Sequence, residues 1–376
     1  MKTKAAVLHR MGAARPYAES APLSIEELDL EGPGEGEVLV EVAAAGLCHS
    51  DLSVIDGARP RPTPMALGHE AAGVVSEVGR GIDDLKPGDH VVMIFVPACG
   101  HCIPCAEGRP ALCEPGARAN GEGRLLSGAR RLSRGGQAVN HHMGVAAFSE
   151  RTVVSRRSLV KVDPELPLEE AALFGCAVMT GVGAVVNTGR VQAGQSVAVI
   201  GLGGVGLNSL LAALMVGAER VVAVDLLDSK LDLARQLGAT DAFNAGDPDC
   251  VAAIKEATGG GVDFAFEMAG SVPALDLAYR ITKRGGTTIT AGLAHPEKKL
   301  ELQAVSLVAE ERTLKGSYIG SCVPQRDIPR YIGLFNRGRL PVDRLMSERL
   351  SFDELNAGFD RLAGGNTVRQ LLILSR

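Results

Sequence analysis

The sequence predicts an α/β protein: a doubly wound parallel sheet with flanking helices, joined to a second part that is mostly β. Three observations carry that prediction. From about residue 176 to 322, short apolar runs of strand character alternate with helical runs, the arrangement that builds parallel sheets. Before that point the apolar stretches are short, β-branched and bounded by Gly and Pro, as strands and turns are. Forty-six glycines and only 3% aromatic residues imply many tight turns around a core of Val, Leu, Ala and Ile.

Taken in order, "EVLVEVAAAGLC" (37–48), "AAGVVSEVG" (71–79) and "KPGDHVVMI" (86–94) read as strands. Residues 114–147, rich in Gly and Arg and without periodicity, read as a long irregular surface connection. "CAVMTGVGAVVNTG" reads as a helix ending at Gly189, and "QSVAVIG" (195–201) as a buried strand. A helix over "GGVGLNSLLAALMVGA", a strand at "RVVAVD" (220–225) and a helix at 229–239 follow. "VDFAFEMAG", "GGTTITAG" and "TLKGSYIG" continue the strand signal. Beyond residue 322 come two amphipathic helices, and then "VRQLLIL" as a strand that can return to the first part. The expected division is 1–177, 178–321 and 322–376, the first and last belonging together.

The 376 residues are enough for two cores. A net charge of −5 argues against nucleic acid as a partner, since binding phosphates needs a basic face. No uncharged apolar run approaches a membrane span. The opening residues hold lysines but no continuous apolar stretch, so a cytoplasmic protein without a secretory signal is expected. In that compartment clustered cysteines bind metal or do chemistry more often than they form disulfides.

A nucleotide site is legible in Gly201-Leu202-Gly203-Gly204-Val205-Gly206, which lies between a predicted strand and a predicted helix. The first glycine permits the tight turn, the second lets backbone approach a pyrophosphate, and the third lets helix and strand pack closely. The free N–H groups of the helix start then face the phosphates. Asp225 ends the next strand ~20 residues on, where a carboxylate hydrogen-bonds ribose hydroxyls and repels a 2′-phosphate. NAD is therefore expected over NADP.

The densest motif is "CGHCIPCAEGRPALC", which sets Cys99, Cys102, Cys105 and Cys113 within fifteen residues. Thiolates so close on a turning loop can converge on tetrahedral Zn²⁺ with no position left open. Similar spacing can hold an iron–sulfur cluster, whereas a CxxC redox pair leaves two cysteines unexplained. His101, inside the first CxxC, is expected to point to solvent. A closed site cannot polarise a substrate, so this one is structural. Cys48, His69 and Cys176 offer two thiols and an imidazole, a known catalytic zinc set, but their spacing does not assemble them. Singly, each reads as an ordinary buried residue.

The motifs "GLCHSD", "GHEAAGVV", "GDHVV", "CGHCIPC…C", "GCAVMTG" and "GLGGVG…VVAVD" resemble, in this order and over essentially the whole chain, zinc-containing medium-chain alcohol dehydrogenases. The resemblance implies a β-rich GroES-like catalytic domain and a Rossmann cofactor domain. It implies two zinc ions, a catalytic one on Cys48, His69 and Cys176 and a structural one on Cys99, Cys102, Cys105 and Cys113. Cys250 and Cys322 are left as ordinary thiols. Asp51 and Glu70 take the role of orienting ligands and tuning the metal. Ser50 matches the hydroxyl that bonds the alcohol oxygen. His49, Thr180, Lys230 and Arg369 match positions that contact the cofactor, Arg369 as a phosphate ligand.

The activity implied is hydride transfer between an alcohol and NAD. An ion at an open site lowers the pKa of a bound hydroxyl, and Ser50 can pass the proton towards the ribose. Relatives often finish this relay with a histidine; here that position is Ser53. Phe95 matches a pocket-lining position, which favours a primary or aromatic alcohol. Glutathione-linked formaldehyde dehydrogenases carry acidic residues where this chain has Arg59 and Arg61, which argues against a thiol-adduct substrate. A catalytically inactive, zinc-stabilised nucleotide-binding protein is the remaining alternative. Family members are usually homodimers or homotetramers, and "GSYIG" (316–320) is the expected edge for such contacts.

Overall fold

The computed structural model describes residues 1–374. Its chain divides into two units, Met1–Cys176 with Val323–Ile332 and Asp343–Arg376, and Ala177–Cys322 with Gly333–Val342. The stretch after residue 322 is thus shared, since residues 333–342 pack with the second unit.

Two β layers make up the first unit. Lys2–Leu8, Leu23–Leu30, Leu132–Arg134, Gln137–His141 and Met65–Ala66 close into a barrel. A seven-stranded sheet runs in the order Leu159–Lys161, His90–Met93, Ala71–Val78, Glu37–Gly46, Arg369–Ile373 and Met346–Leu350. Its seventh strand, Arg151–Ser155, also pairs with Glu37–Gly46. Glu37–Gly46 is central: nine of its ten residues are buried, which is why it reads as a near-continuous apolar run. Its partner strand approaches so closely that a Cβ on Gly73 would lie 2.1 Å from the Glu41 carbonyl oxygen. The C-terminal strand is antiparallel to it, pairing Leu371 with Gly46 and Ile373 with Ala44.

Residues 114–147 correct the expectation of an irregular surface connection. They form the helix Glu114–Gly121, two of the barrel strands and the turn His142–Gly144. The strands span only three and five residues, too few for alternation to show, and each buries a single large apolar residue, Leu132 and Val139, beside the buried polar Asn140 and His141. Arg131 lies here because the nearly inaccessible Glu37 needs a counter-charge. Its Nε donates to Glu37 Oε2 at 2.8 Å, and the Gly34 N–H and Ser127 hydroxyl complete the carboxylate's bonds. Removing one partner of a buried pair typically costs ~3–5 kcal/mol, so an arginine that reads as surface fastens the barrel.

The second unit holds the expected doubly wound sheet. Its strands lie in the order Asp241–Asn244, Arg220–Asp225, Ser196–Ile200, Val262–Glu267, Thr282–Thr290 and Thr313–Gly316, all parallel. The order reverses between Ser196–Ile200 and Val262–Glu267, the switch point where such sheets bind ligands. The helix Gly204–Met215 is buried over most of its circumference, which explains its lack of charged residues. The free edge is Thr313–Gly316, earlier than the expected 316–320, because Gly320 at φ 63° bends the next residues into a short 3₁₀ turn. No single helix among the described residues is long and apolar enough to cross a membrane.

His141 gives the first unit a pH dependence. The Arg131 N–H donates to its Nε2 at 3.1 Å, and burial, together with Arg130 and Arg131, pushes its pKa down to about 3. The unfolded chain binds this proton near the ordinary value of ~6.5, so its contribution is complete above that pH and is lost as pH falls towards 3. The slope reaches ~1.4 kcal/mol per pH unit between those limits. Denaturant midpoints for His141→Gln, whose carbonyl can take over as acceptor, should fall less steeply between pH 6 and 4 than those of the natural protein. Parallel curves would exclude His141 as the source.

Candidate metal centre

The centre begins where the strand Glu37–Gly46 gives way to the helix His49–Ile55. Cys48 is the N-cap of that helix, with Asp51 at its third position. The Cys48 N–H donates to Asp51 Oδ2 at 3.2 Å, so the capping box that starts the helix also fixes a buried carboxylate beside the thiol. Two residues earlier, a Cβ on Gly46 would meet Glu70 Oε1 at 2.7 Å and the Arg369 guanidinium at 2.8 Å. Only glycine leaves that space.

Gly68, His69 and Glu70 come in from the adjacent segment. Gly68 has φ +90°, and a Cβ there would sit 2.4 Å from the Phe148 nitrogen. Its N–H donates to Asp51 Oδ1 at 3.3 Å, and His69 Nδ1 lies 3.0 Å from the same oxygen. An ionised carboxylate can only accept, so His69 carries a proton on Nδ1, which leaves Nε2 as the nitrogen turned towards the thiols, free for a cation once its own proton is displaced. That Nε2 is buried and has no hydrogen-bond partner among the described residues. Cys176 follows the turn Leu173–Gly175, where a Cβ on Gly175 would lie 2.4 Å from the Met93 carbonyl oxygen. The ligand atoms of Cys48, His69, Glu70 and Cys176 all lie within 4.8 Å of one another.

Charge is strongly organised here. Hydrogen bonding to Cys176 holds the Cys48 thiol well below its ordinary range, with His69 and Arg369 adding to the effect. The same bond and burial push Cys176 well up. Burial opposes ionisation of Asp51, but the charge of His69 and the two imidazole nitrogens facing it hold the carboxyl below the usual range. Burial also disfavours a charged His69, yet Asp51 and Cys48 outweigh it and raise its pKa to about 10. The site holds protons where a cation would replace them. Two thiols and one imidazole with an orphaned nitrogen fit zinc.

Glu70 is already engaged, since Arg369 donates to its Oε1 while Oε2 stays buried without a partner. Arg369, expected on a cofactor phosphate, is 4% exposed and lies against Glu70 and the Cys48 thiol. The Phe95 ring meets His69 edge-on at 5.0 Å. Ser50 is half-buried and His49 exposed. Ser53 donates its hydroxyl to the His49 carbonyl at 2.8 Å.

The sulfurs of Cys99, Cys102, Cys105 and Cys113 also lie within 4.8 Å of one another. Backbone N–H groups of Cys99 and Gly116 donate to Cys113 Sγ, and that of Cys102 donates to Cys99 Sγ. Burial opposes ionisation of Cys99, but N–H donors lower its pKa to about 7, while burial pushes Cys105 up to about 12. Four thiols with no fifth donor fit a closed zinc site. His101 stays outside it, exposed, with Nδ1 3.1 Å from the Cys99 carbonyl.

In the second unit the glycine run differs from position to position. Gly201 needs its φ of +90°, and a Cβ on Gly206 would lie 1.8 Å from the Gly201 carbonyl oxygen. A Cβ on Gly203 would meet nothing within 4 Å, so the chain's own packing does not require that glycine. Gly204 and Val205 open the helix. Asp225 accepts from the Leu202 and Leu227 N–H groups at 2.6 and 3.0 Å, tying the glycine loop to the end of its strand. Thr180 is buried in the helix Ala177–Gly183, and Lys230 lies in the first turn of Asp228–Leu237. Cys250 and Cys322 are buried and belong to neither cluster.

One residue escaped the sequence reading. His142 lies fully buried with Nδ1 3.0 Å from Asp51 Oδ1 and its ring edge-on to His69 at 5.5 Å. Its setting, "NHHMG" in a stretch without periodicity, offered no signal.

Metal analysis tests both clusters. We expect two zinc ions per chain in the natural protein and one in Cys48→Ser, with the four-cysteine ion retained. A single ion in the natural protein, or two in the variant, would contradict the assignment.

Residues 34–164 match the family model for the alcohol dehydrogenase GroES-like domain, and residues 204–337 the model for zinc-binding dehydrogenases. The chain is 42% identical to the NDMA-dependent alcohol dehydrogenase of Amycolatopsis methanolica, covering 100% of both chains. It is 38% identical to S-(hydroxymethyl)glutathione dehydrogenase of Escherichia coli, covering 96% of this chain and 98% of the other. The solved structure of benzyl alcohol dehydrogenase from Acinetobacter calcoaceticus superposes with a TM-score of 0.93 at 34% identity, covering 100% of both chains. With both domains matched and relatives aligned end to end, the chain belongs to the zinc-containing medium-chain alcohol dehydrogenase family.

Proposed function

We propose that the protein oxidises a primary or aromatic alcohol to its aldehyde, reversibly, with NAD as hydride acceptor. The observation that carries this reading is the buried, unpartnered Nε2 of His69 converging with the thiols of Cys48 and Cys176. Bound zinc supplies a Lewis acid at that point and NAD supplies the acceptor of two electrons and a hydrogen. Cys48, His69 and Cys176 hold the ion, and Asp51 fixes the His69 ring so that Nε2 keeps its aim. Glu70, neutralised by Arg369, keeps a second carboxylate beside the thiols without an unpaired charge. Phe95 supplies apolar surface against His69 and favours a substrate with an apolar body.

Ser50 would relay the hydroxyl proton as the alcohol is oxidised, its Oγ accepting that proton while giving up its own. Ser53 does not extend the relay, because its hydroxyl is donated to the His49 carbonyl, so the proton leaves through solvent. Asp225 holds ribose hydroxyls, the run Gly201–Gly206 receives the pyrophosphate, and Thr180 and Lys230 add cofactor contacts, whereas Arg369 is engaged by Glu70.

Aromatic alcohols are favoured by the benzyl alcohol dehydrogenase likeness, and a thiol adduct by the name of the Escherichia coli relative. Arg59 and Arg61 tip the choice towards the free alcohol. NADH formation against a panel of alcohols, with and without glutathione, and with NDMA as an alternative acceptor, separates these readings. We expect thiol-independent NADH formation, fastest with benzylic and primary alcohols. Dependence on glutathione would replace the substrate assignment, and turnover with NDMA alone would replace free NAD as the acceptor.

A homodimer or homotetramer is part of the same reading. All four residues of the edge strand Thr313–Gly316 are exposed, and the helix Ala304–Ala309 beside it in sequence leaves Val305 65% and Val308 81% exposed. Open strand edges and apolar patches of this kind are ordinarily covered. Light scattering should give an oligomer that Val308→Asp weakens. A monomeric natural protein would refute the assignment.

A further inference from the structure

We infer that His142 is a positioning residue for the catalytic-site metal, acting through Asp51 on His69. The inference rests on the reading of Cys48, His69 and Cys176 as a zinc site and adds a residue outside the ligand set. His142 follows the barrel strand Gln137–His141 and opens a turn in which Met143 has φ 49° and Gly144 φ 67°. That left-handed pair sends the chain back along the segment that precedes His69. There the Ala147 N–H donates to the Gly68 carbonyl at 3.0 Å and the Phe148 N–H to the Leu67 carbonyl at 2.9 Å. The Thr152 hydroxyl donates to the Val145 carbonyl and the Ser149 hydroxyl to that of Ala146, both at 2.7 Å and both buried. The turn bearing His142 and the segment bearing His69 are therefore laced together by backbone.

The side chain has no other visible purpose. His142 is 0% exposed, and neither ring nitrogen makes a hydrogen bond among the described residues. Its Nδ1 lies at hydrogen-bond distance from Asp51 Oδ1, but the N–H is not aimed along that line. Buried polar groups are ordinarily satisfied, and a phenylalanine would fill this space without unpaired nitrogens. What the imidazole gains is the carboxylate. Asp51 Oδ1 is the oxygen that holds His69 Nδ1, so a second imidazole packed on it holds the carboxylate in place. His69 then keeps the tautomer that leaves Nε2 for the metal.

The test compares three variants of the full-length zinc-loaded protein, using competition with a chromophoric chelator and the visible spectrum after cobalt(II) exchange. His142→Phe should bind the catalytic ion about 10- to 100-fold more weakly, the usual effect of losing a partner behind a metal ligand. The four-cysteine ion should be held as before, which also shows that the variant is folded. His142→Asn places an amide nitrogen where Nδ1 stands and should restore both affinity and the cobalt bands. His142→Gln, with its nitrogen nearer the Nε2 position, should resemble the phenylalanine variant. Unchanged affinity in His142→Phe, or equal affinity in the asparagine and glutamine variants, would overturn the role of His142 alone. A natural protein holding zinc only at the four cysteines would overturn the three-ligand site and this inference with it.

Discussion

The buried carboxylate of Asp51 is the constraint on which the centre depends. It caps the helix that carries Cys48, receives the N–H of Gly68, and sets the tautomer of His69. Each of these is a local event, yet together they bring residues twenty-one positions apart to one point. A glutamine at this third position could close the same capping box. A carboxylate does more, because its second oxygen remains to orient an imidazole on another segment. Burial would ordinarily drive such a group neutral; here the surrounding donors keep it ionised.

The two cysteine clusters solve different problems with the same atom. At Cys99–Cys113, backbone N–H groups donate to sulfur, stabilising negative charge without help from any side chain outside the loop. Such a cluster forms from local sequence and can be read from local sequence. Around Cys48 and Cys176 the thiols stand in opposite states, one pushed down and the other up, because each is the other's nearest partner. That arrangement favours a cation over a shared proton. It also needs three segments and a carboxylate to hold it, so spacing does not reveal it.

Legibility followed the same division. The parallel sheet was readable because its central strands Ser196–Ile200 and Arg220–Asp225 are buried on both faces and its helices intervene at regular intervals, and the glycine run lay in its expected setting. The barrel was harder. Leu132–Arg134 and Gln137–His141 are short and mostly polar, and the loop entering them is fastened by Arg131 to Glu37, ninety-odd residues away in sequence. Lys2–Leu8 also went unread, although its register with Leu23–Leu30 is unbroken over seven pairs. His142 was hidden for the same reason as the barrel. Its partners are set by backbone pairing between 67–68 and 147–148, which no pattern of residue types announces.

The return of the chain to its first sheet is where distant sequence enters the site. Arg369 opens the final strand, whose pairing of Leu371 with Gly46 places it two residues from the point where the partner strand turns towards Cys48. From there the guanidinium reaches Glu70 through space that a side chain on Gly46 would fill. A slip of one residue in that register would turn Arg369 to the opposite face and leave Glu70 as a buried carboxylate without a counter-charge. Such an unpaired charge is costly in a site closed to solvent. Pairing at the end of the chain therefore sets the charge balance at its beginning, and the metal centre is complete only when the last strand has docked.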